Sequence, residues 1–205
     1  MFGLDINYSD KKYCYAQRNL AFTGYTSKVC PMCGRNIIIP NATLQKNEFI
    51  IEGGQSYPDF LDYRGAGTYF LISQNALQLF VENKITGFDH YEKVSILREA
   101  DITPDIDKRV YFMLSINGTI DFNLKAMTLK KKRLCLSCNQ YDWNIQRLSM
   151  LKTVLNIDTW DGTDLCRINS FPGFIVCSDR LKNLVEEHKL TGLRFSDENS
   201  IFKTI

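Results

Sequence analysis

Glu82-Asn83-Lys84-Ile85-Thr86-Gly87-Phe88 returns without a gap as Glu187-His188-Lys189-Leu190-Thr191-Gly192-Leu193, 105 positions further on. The same shift lays Tyr69-Phe70-Leu71-Ile72-Ser73 on Phe174-Ile175-Val176-Cys177-Ser178, and Asp59-Phe60 on Asp164-Leu165. It also lays the couple Cys30-Pro31-Met32-Cys33 on Cys135-Leu136-Ser137-Cys138. One register that runs through a cysteine couple, an apolar strand, a helix and a Thr-Gly stop predicts an internal duplication of about 100 residues. The alternative is coincidence between two generic strand–helix units. The period is too long for a solenoid, so the expectation is an α+β chain of two related lobes. The first covers residues 1–104 and the second 105–205, packed as one compact unit.

Each lobe reads as a strand, a capped helix and a returning strand. In the first, Thr68–Ile72 is apolar and β-prone, Ser73 is a helix N-cap, and Ala76, Leu77, Leu79, Phe80 and Val81 recur at helical spacing. The helix ends near Lys84 with Gly87 as its stop, and Phe88–Leu97 returns as a strand. In the second, Phe174–Cys177, the cap Ser178, the inward residues Leu181, Leu184 and Val185, then Gly192 and Leu193–Phe195 repeat the plan.

Elsewhere the pattern is coarser. Leu4 to about Phe22 alternates loosely and suggests one or two strands, and Ile37-Ile38-Ile39 is a strand stopped by Pro40. Gly53-Gly54, Tyr57-Pro58-Asp59 and Gly65-Ala66-Gly67 mark loops. Asp101–Lys108 is the junction between lobes, and a strand over Arg109–Ile116 comes after it. Asn117-Gly118 predicts a hairpin whose return strand is Thr119–Phe122. Leu148–Ile157 is a short helix or a loop.

The cysteine couples carry the chemistry. Two thiolates separated by two residues grip one tetrahedral ion from a tight turn, and two such turns close a structural four-sulfur shell. Ordinary ribbons space the couples by roughly 15–20 residues. Here a duplication would bring two distant turns face to face, and the predicted ligands of a shared structural Zn²⁺ are Cys30, Cys33, Cys135 and Cys138. Asn139 stands where Gly34 follows the first couple, and Asn tolerates a left-handed backbone better than most residues. Two alternatives stay open: unmetallated thiol pairs, or a thioredoxin-like dithiol at Cys30 and Cys33, which would need a helix N-terminus there. Cys14, Cys166 and Cys177 fall outside the couples and read as core.

Bulk properties bound the rest. The 205 residues are 44% hydrophobic and 23% charged, which is ordinary for a globular chain. A net charge of +2 does not advertise nucleic acid or an acidic membrane as partner. No apolar run spans a bilayer, and Asp5 stands where a signal peptide wants basic residues. The expected compartment is the cytoplasm.

The remaining candidates are weighed against simpler roles. Lys130-Lys131-Lys132-Arg133 could touch phosphates but reads first as a solvated face beside a metal turn. His188 lies at a helix end, and His90 follows a turn, without partners at triad spacing. Asp59, Asp62, Asp161 and Asp164 precede the strand–helix units and read as caps and turn residues before a catalytic pair. These residues make no positive case for an enzyme.

Taken together, these features resemble the double-CXXCG motif family of bacterial immunity proteins, which are paired with polymorphic toxins. Cys30-Pro31-Met32-Cys33-Gly34 and Cys135-Leu136-Ser137-Cys138 carry the resemblance. Asp164-Leu165-Cys166-Arg167, with Cys166 at a family aromatic position, and the closing Phe174–Phe195 unit add to it. The resemblance implies a cytoplasmic, non-enzymatic protein that neutralises a cognate toxin by stoichiometric occlusion. The alternative is a zinc-ribbon nucleic-acid-binding regulator working through Lys130–Arg133; a third, an enzyme, would need a pocket around Asp59 and Asp164.

Overall fold

Ser73 and Ser178 each close a strand and open a helix. Their hydroxyls accept the N–H of Ala76 and of Leu181, both at 3.2 Å, as N-caps do. These units belong to a computed structural model that describes residues 1–6, 12–18, 25–34, 36–40, 48–63, 69–100, 109–123, 135, 137, 155–169 and 171–197.

In chain order the first strands are β1 (Phe2–Ile6), β2 (Tyr15–Arg18), β3 (Tyr25–Val29), β4 (Asn36–Pro40), β5 (Glu48–Glu52), β6 (Phe60–Tyr63) and β7 (Tyr69–Ser73). Helix α1 (Gln74–Glu82) comes next, then β8 (Phe88–Lys93), β9 (Ser95–Ala100), β10 (Tyr111–Ile116) and β11 (Thr119–Phe122). After β12 (Leu155–Asn156) and a single 3-10 turn come β13 (Leu165–Ile168), β14 (Phe171–Cys177), α2 (Asp179–Glu187) and β15 (Leu193–Asp197). The class is α+β, dominated by strands. Among the described residues no helix is long and apolar enough to cross a membrane.

The helix stops differ from expectation. The residues that close the helices in a left-handed conformation are Lys84 (φ 52°) and Lys189 (φ 51°), three positions before the glycines. Ile85 N–H returns to the carbonyl of Phe80, and Leu190 N–H to that of Val185, both at 2.9 Å. This is the bond pattern of a Schellman cap, with the buried Ile85 as its apolar clasp. Gly87 (φ 99°) and Gly192 (φ 95°) serve a different need. A Cβ at Gly87 would lie 2.0 Å from the carbonyl oxygen of Leu165, and one at Gly192 would lie 2.2 Å from that of Phe60. Glycine is required there for close backbone approach.

Strands assemble into a six-stranded sheet, β12-β11-β13-β14-β1-β15, and a seven-stranded one, β9-β5-β2-β6-β7-β10-β8; β3 and β4 form a separate pair. The two large sheets read alike. Each has an antiparallel core strand (β14, β7), a neighbour joined in parallel to the next (β13∥β11, β6∥β2), and an inserted strand (β1, β10). Phe2, Gly3 and Leu4 face Cys177, Val176 and Ile175, while Phe112, Met113 and Leu114 face Ile72, Leu71 and Phe70. Thus β1, from the N-terminal half, completes the sheet of C-terminal strands, and β10, from the C-terminal half, completes the other. The sheets do not part at residue 104.

The predicted hairpin at Asn117-Gly118 is not made. The strands β10 and β11 diverge there into different sheets. Asn117 and Gly118 both donate to the carbonyl of Gly87, at 2.9 and 3.2 Å. Gly118 is a point of close approach, since a Cβ on it would lie 2.0 Å from the Leu165 carbonyl oxygen. Similarly, Phe88–Leu97 is not one strand. It breaks at buried Val94 into β8 and β9, which lie at opposite edges of their sheet.

One apolar cluster spans both helices and both large sheets, joining Phe60, Ile72 and Phe80 to Leu165, Cys177 and Leu181. Phe80 is fully buried, its ring centroid 5.8 Å from that of Phe60 and 6.3 Å from that of Phe88. Val81, on the expected apolar face, instead points to solvent at 53% exposure. A second cluster around Phe49, Ile51, Leu71 and Tyr111 sits in the seven-stranded sheet. Cys14, Cys166 and Cys177 are core residues as expected.

Candidate metal centre

The antiparallel register of β3 and β4 pairs Val29 with Asn36, so the first cysteine couple occupies the tip of a two-stranded ribbon. Gly34 takes φ 70° and its N–H donates to the Cys30 carbonyl at 2.9 Å, which closes the turn around the two thiols. Glycine, which has no Cβ, takes that φ without steric cost. The chain leaves this turn as a strand, with β4 starting at Asn36. The helix N-terminus that a thioredoxin-like dithiol uses is therefore not what this turn builds.

Cys135 meets this turn from 105 residues away, its Sγ 3.6 Å from that of Cys30. The sulfurs of Cys30, Cys33 and Cys135 all lie within 4.8 Å of one another. Four thiolates at the usual Zn–S length of about 2.3 Å in a tetrahedron sit about 3.8 Å apart. The observed spacing therefore fits a metal shell. Cys30 and Cys135 are buried, and Cys33 is exposed. Cys138, Asn139 and Lys130–Arg133 lie outside the described residues.

The electrostatics separate Cys30 from the core cysteines Cys166 and Cys177. The Cys33 N–H aimed at Cys30 brings its thiol down to about 6 against the opposing effect of burial, helped by the Met32 N–H and the neighbouring thiols. Burial pushes Cys177 up to about 12 and raises Cys166. A thiol that readily becomes thiolate is the form a metal takes, and a protonated buried thiol is not.

The acids singled out from sequence have structural work. Asp59 accepts the Ser73 hydroxyl at 2.9 Å, and Asp164 accepts the Ser178 hydroxyl at 2.7 Å. Each also holds a threonine of the other half: Thr191 donates its N–H and hydroxyl to Asp59, and Thr86 does the same to Asp164. Arg109 pairs with Asp59, and Arg180 with Asp164 at 3.1 Å. Asp161 is exposed and held below its ordinary range: burial works against this, while the Thr163 hydroxyl and the N–H groups of Thr119 and Thr163 outweigh it. Asp62 and His90 lie in β6 and β8, and exposed His188 is the residue that ends α2.

Sequence reading missed Thr86, Thr191, Arg109 and Arg180. The two threonines carried a signal, since they occupy equivalent positions before the two glycines. The arginines carried none, because Arg109 precedes β10 whereas Arg180 opens α2. The chain matches no protein-family model and no curated protein.

Proposed function

We propose that this chain is an immunity-type binding protein of the double-CXXCG kind, acting in the cytoplasm. It would neutralise a cognate bacterial toxin by stoichiometric occlusion, without turnover. The observation that carries the reading is the meeting of Cys30 and Cys135 at 3.6 Å. It brings Cys135, of the second couple, up to the first couple across a separation that an ordinary ribbon does not span. The proposed ion is Zn²⁺, held by Cys30, Cys33, Cys135 and, from the same couple as Cys135, Cys138. An all-thiolate tetrahedral shell selects zinc over hard cations and leaves no open position for catalysis. The role of the ion is to tie the two turns together.

The proposal includes descent by internal duplication. Its supports are the paired caps at Ser73 and Ser178, the left-handed Lys84 and Lys189, and the reciprocal carboxylate–threonine bonds. That Asp59 and Asp164 are engaged by serine, threonine and arginine favours a structural over a catalytic role for them.

The test is affinity capture of the tagged full chain from its native cell, read by mass spectrometry. The expected result is one stoichiometric protein partner carrying a C-terminal toxin domain, whose activity falls to background at an equimolar ratio. Recovery of nucleic acid, with binding that weakens steeply with salt, would instead favour the zinc-ribbon regulator acting through Lys130–Arg133.

A further inference from the structure

We infer that the two halves of this chain are interlocked by reciprocal strand exchange, and that this interlock, not the metal, holds them together. It depends on neither the identity of the ion nor the toxin.

The first strand of each half is inserted in the sheet of the other. β1 lies between β14 and β15, with Leu4 opposite Ile175 on one side and Phe195 on the other. β10 lies between β7 and β8, with Leu114 opposite Phe70 and Tyr91. Neither is an edge strand, so withdrawing β1 would unpair β14 and detach β15, and withdrawing β10 would unpair β7 and detach β8. Both insertions are antiparallel on both sides. The pattern Phe-x-Leu-x-Ile recurs in the two strands, as Phe2-Gly3-Leu4-Asp5-Ile6 and Phe112-Met113-Leu114-Ser115-Ile116.

Further bonds cross the same boundary in reciprocal pairs. Phe60 N–H donates to the Thr191 carbonyl at 2.9 Å, and Leu165 N–H to the Thr86 carbonyl at 3.0 Å. The shared core adds Phe80 and Leu181 to one cluster. Separating the halves would thus require breaking both sheets and exposing that core in one step. The cysteine centre sits elsewhere, on the β3–β4 ribbon, which among the described residues is paired with neither large sheet. Removing an ion there breaks none of these ladders.

The experiment uses the full chain with a protease recognition sequence placed within residues 101–108. The folded protein is cleaved, then run on a sizing column with metal and after exhaustive chelation, with metal content measured in parallel. Co-elution of both fragments at the uncut volume in both states, with separation only in denaturant, is the expected result. Release of the fragments by chelation would assign the joint to the metal and overturn the inference, and separation on cleavage alone would overturn it too. Hydrogen exchange on the uncut, chelated chain gives a second reading. The amides of β1 and β10 should exchange as slowly as those of β14 and β7. Loss of protection in both strands while β14 and β7 stay protected would count against the interlock.

Discussion

Asp59 and Thr191, 132 residues apart, share three hydrogen bonds: the Thr191 N–H and hydroxyl reach Asp59 Oδ2 at 2.9 and 3.0 Å, and Asp59 N–H reaches Thr191 Oγ1 at 3.0 Å. Asp164 and Thr86 repeat the arrangement with the halves reversed, at 3.0, 3.1 and 3.1 Å. A buried carboxylate held this way is costly to remove, because several donors, the buried serine hydroxyl among them, lose their acceptor together. Asp59→Ala and Asp164→Ala should each lower unfolding stability by about 2–3 kcal/mol. The arginine partners should matter much less. The Arg180 side chain is 54% exposed, and Arg180→Ala should cost under about 1 kcal/mol. Urea midpoints for the three variants check this, and an Arg180→Ala loss as large as that of Asp164→Ala would contradict it.

The close-approach glycines make a sharper contrast. Gly87, Gly192 and Gly162 all have positive φ, but the first two abut backbone while nothing lies within 4 Å of a Cβ on Gly162. Gly162→Ala should cost only the left-handed strain, about 1–2 kcal/mol. Gly87→Ala and Gly192→Ala add a clash with a carbonyl in a strand that cannot yield, and should lose at least a further 2 kcal/mol or so. At about 2–4 °C per kcal/mol for a chain of this size, the two classes should separate clearly in Tm.

The same physics predicts a gain. Lys84 and Lys189 hold left-handed conformations that a side chain opposes. Both are exposed. Lys84→Gly and Lys189→Gly should each raise stability by about 0.5–1 kcal/mol, after the extra backbone entropy of glycine is subtracted. Thermal unfolding measures it, and a lower Tm in both would refute the Schellman assignment.

Much of the strand–helix unit was legible because it depends on short-range chemistry. Ser73 and Ser178 cap, Leu181, Leu184 and Val185 turn inward, and Cys177 is buried in its strand, all as local pattern implies. What could not be read is long-range. A shift of 105 lays Phe2 on Asp107, so the likeness of β1 to β10 is invisible at the register that aligns the helices. The Asn-Gly pair promised a turn, yet Gly118 is small because Leu165 passes against it, a partner 47 positions away that no local window contains. Gly87 misled in the same way: it looks like a helix stop and is a contact point. The cysteine couples gave the metal centre its candidate ligands, and three of the four meet; Cys138 lies outside the described residues.

The centre is most directly tested by measuring bound metal and its ligands together, by elemental analysis and zinc X-ray absorption on the purified full chain. One zinc per chain surrounded by four sulfurs at about 2.3 Å is the predicted result. Serine at Cys30, Cys33, Cys135 or Cys138 should then each reduce zinc content, while Cys14→Ser should leave it unchanged. A shell with fewer than four sulfurs, or full zinc occupancy in Cys138→Ser, would contradict a single centre shared by the two couples.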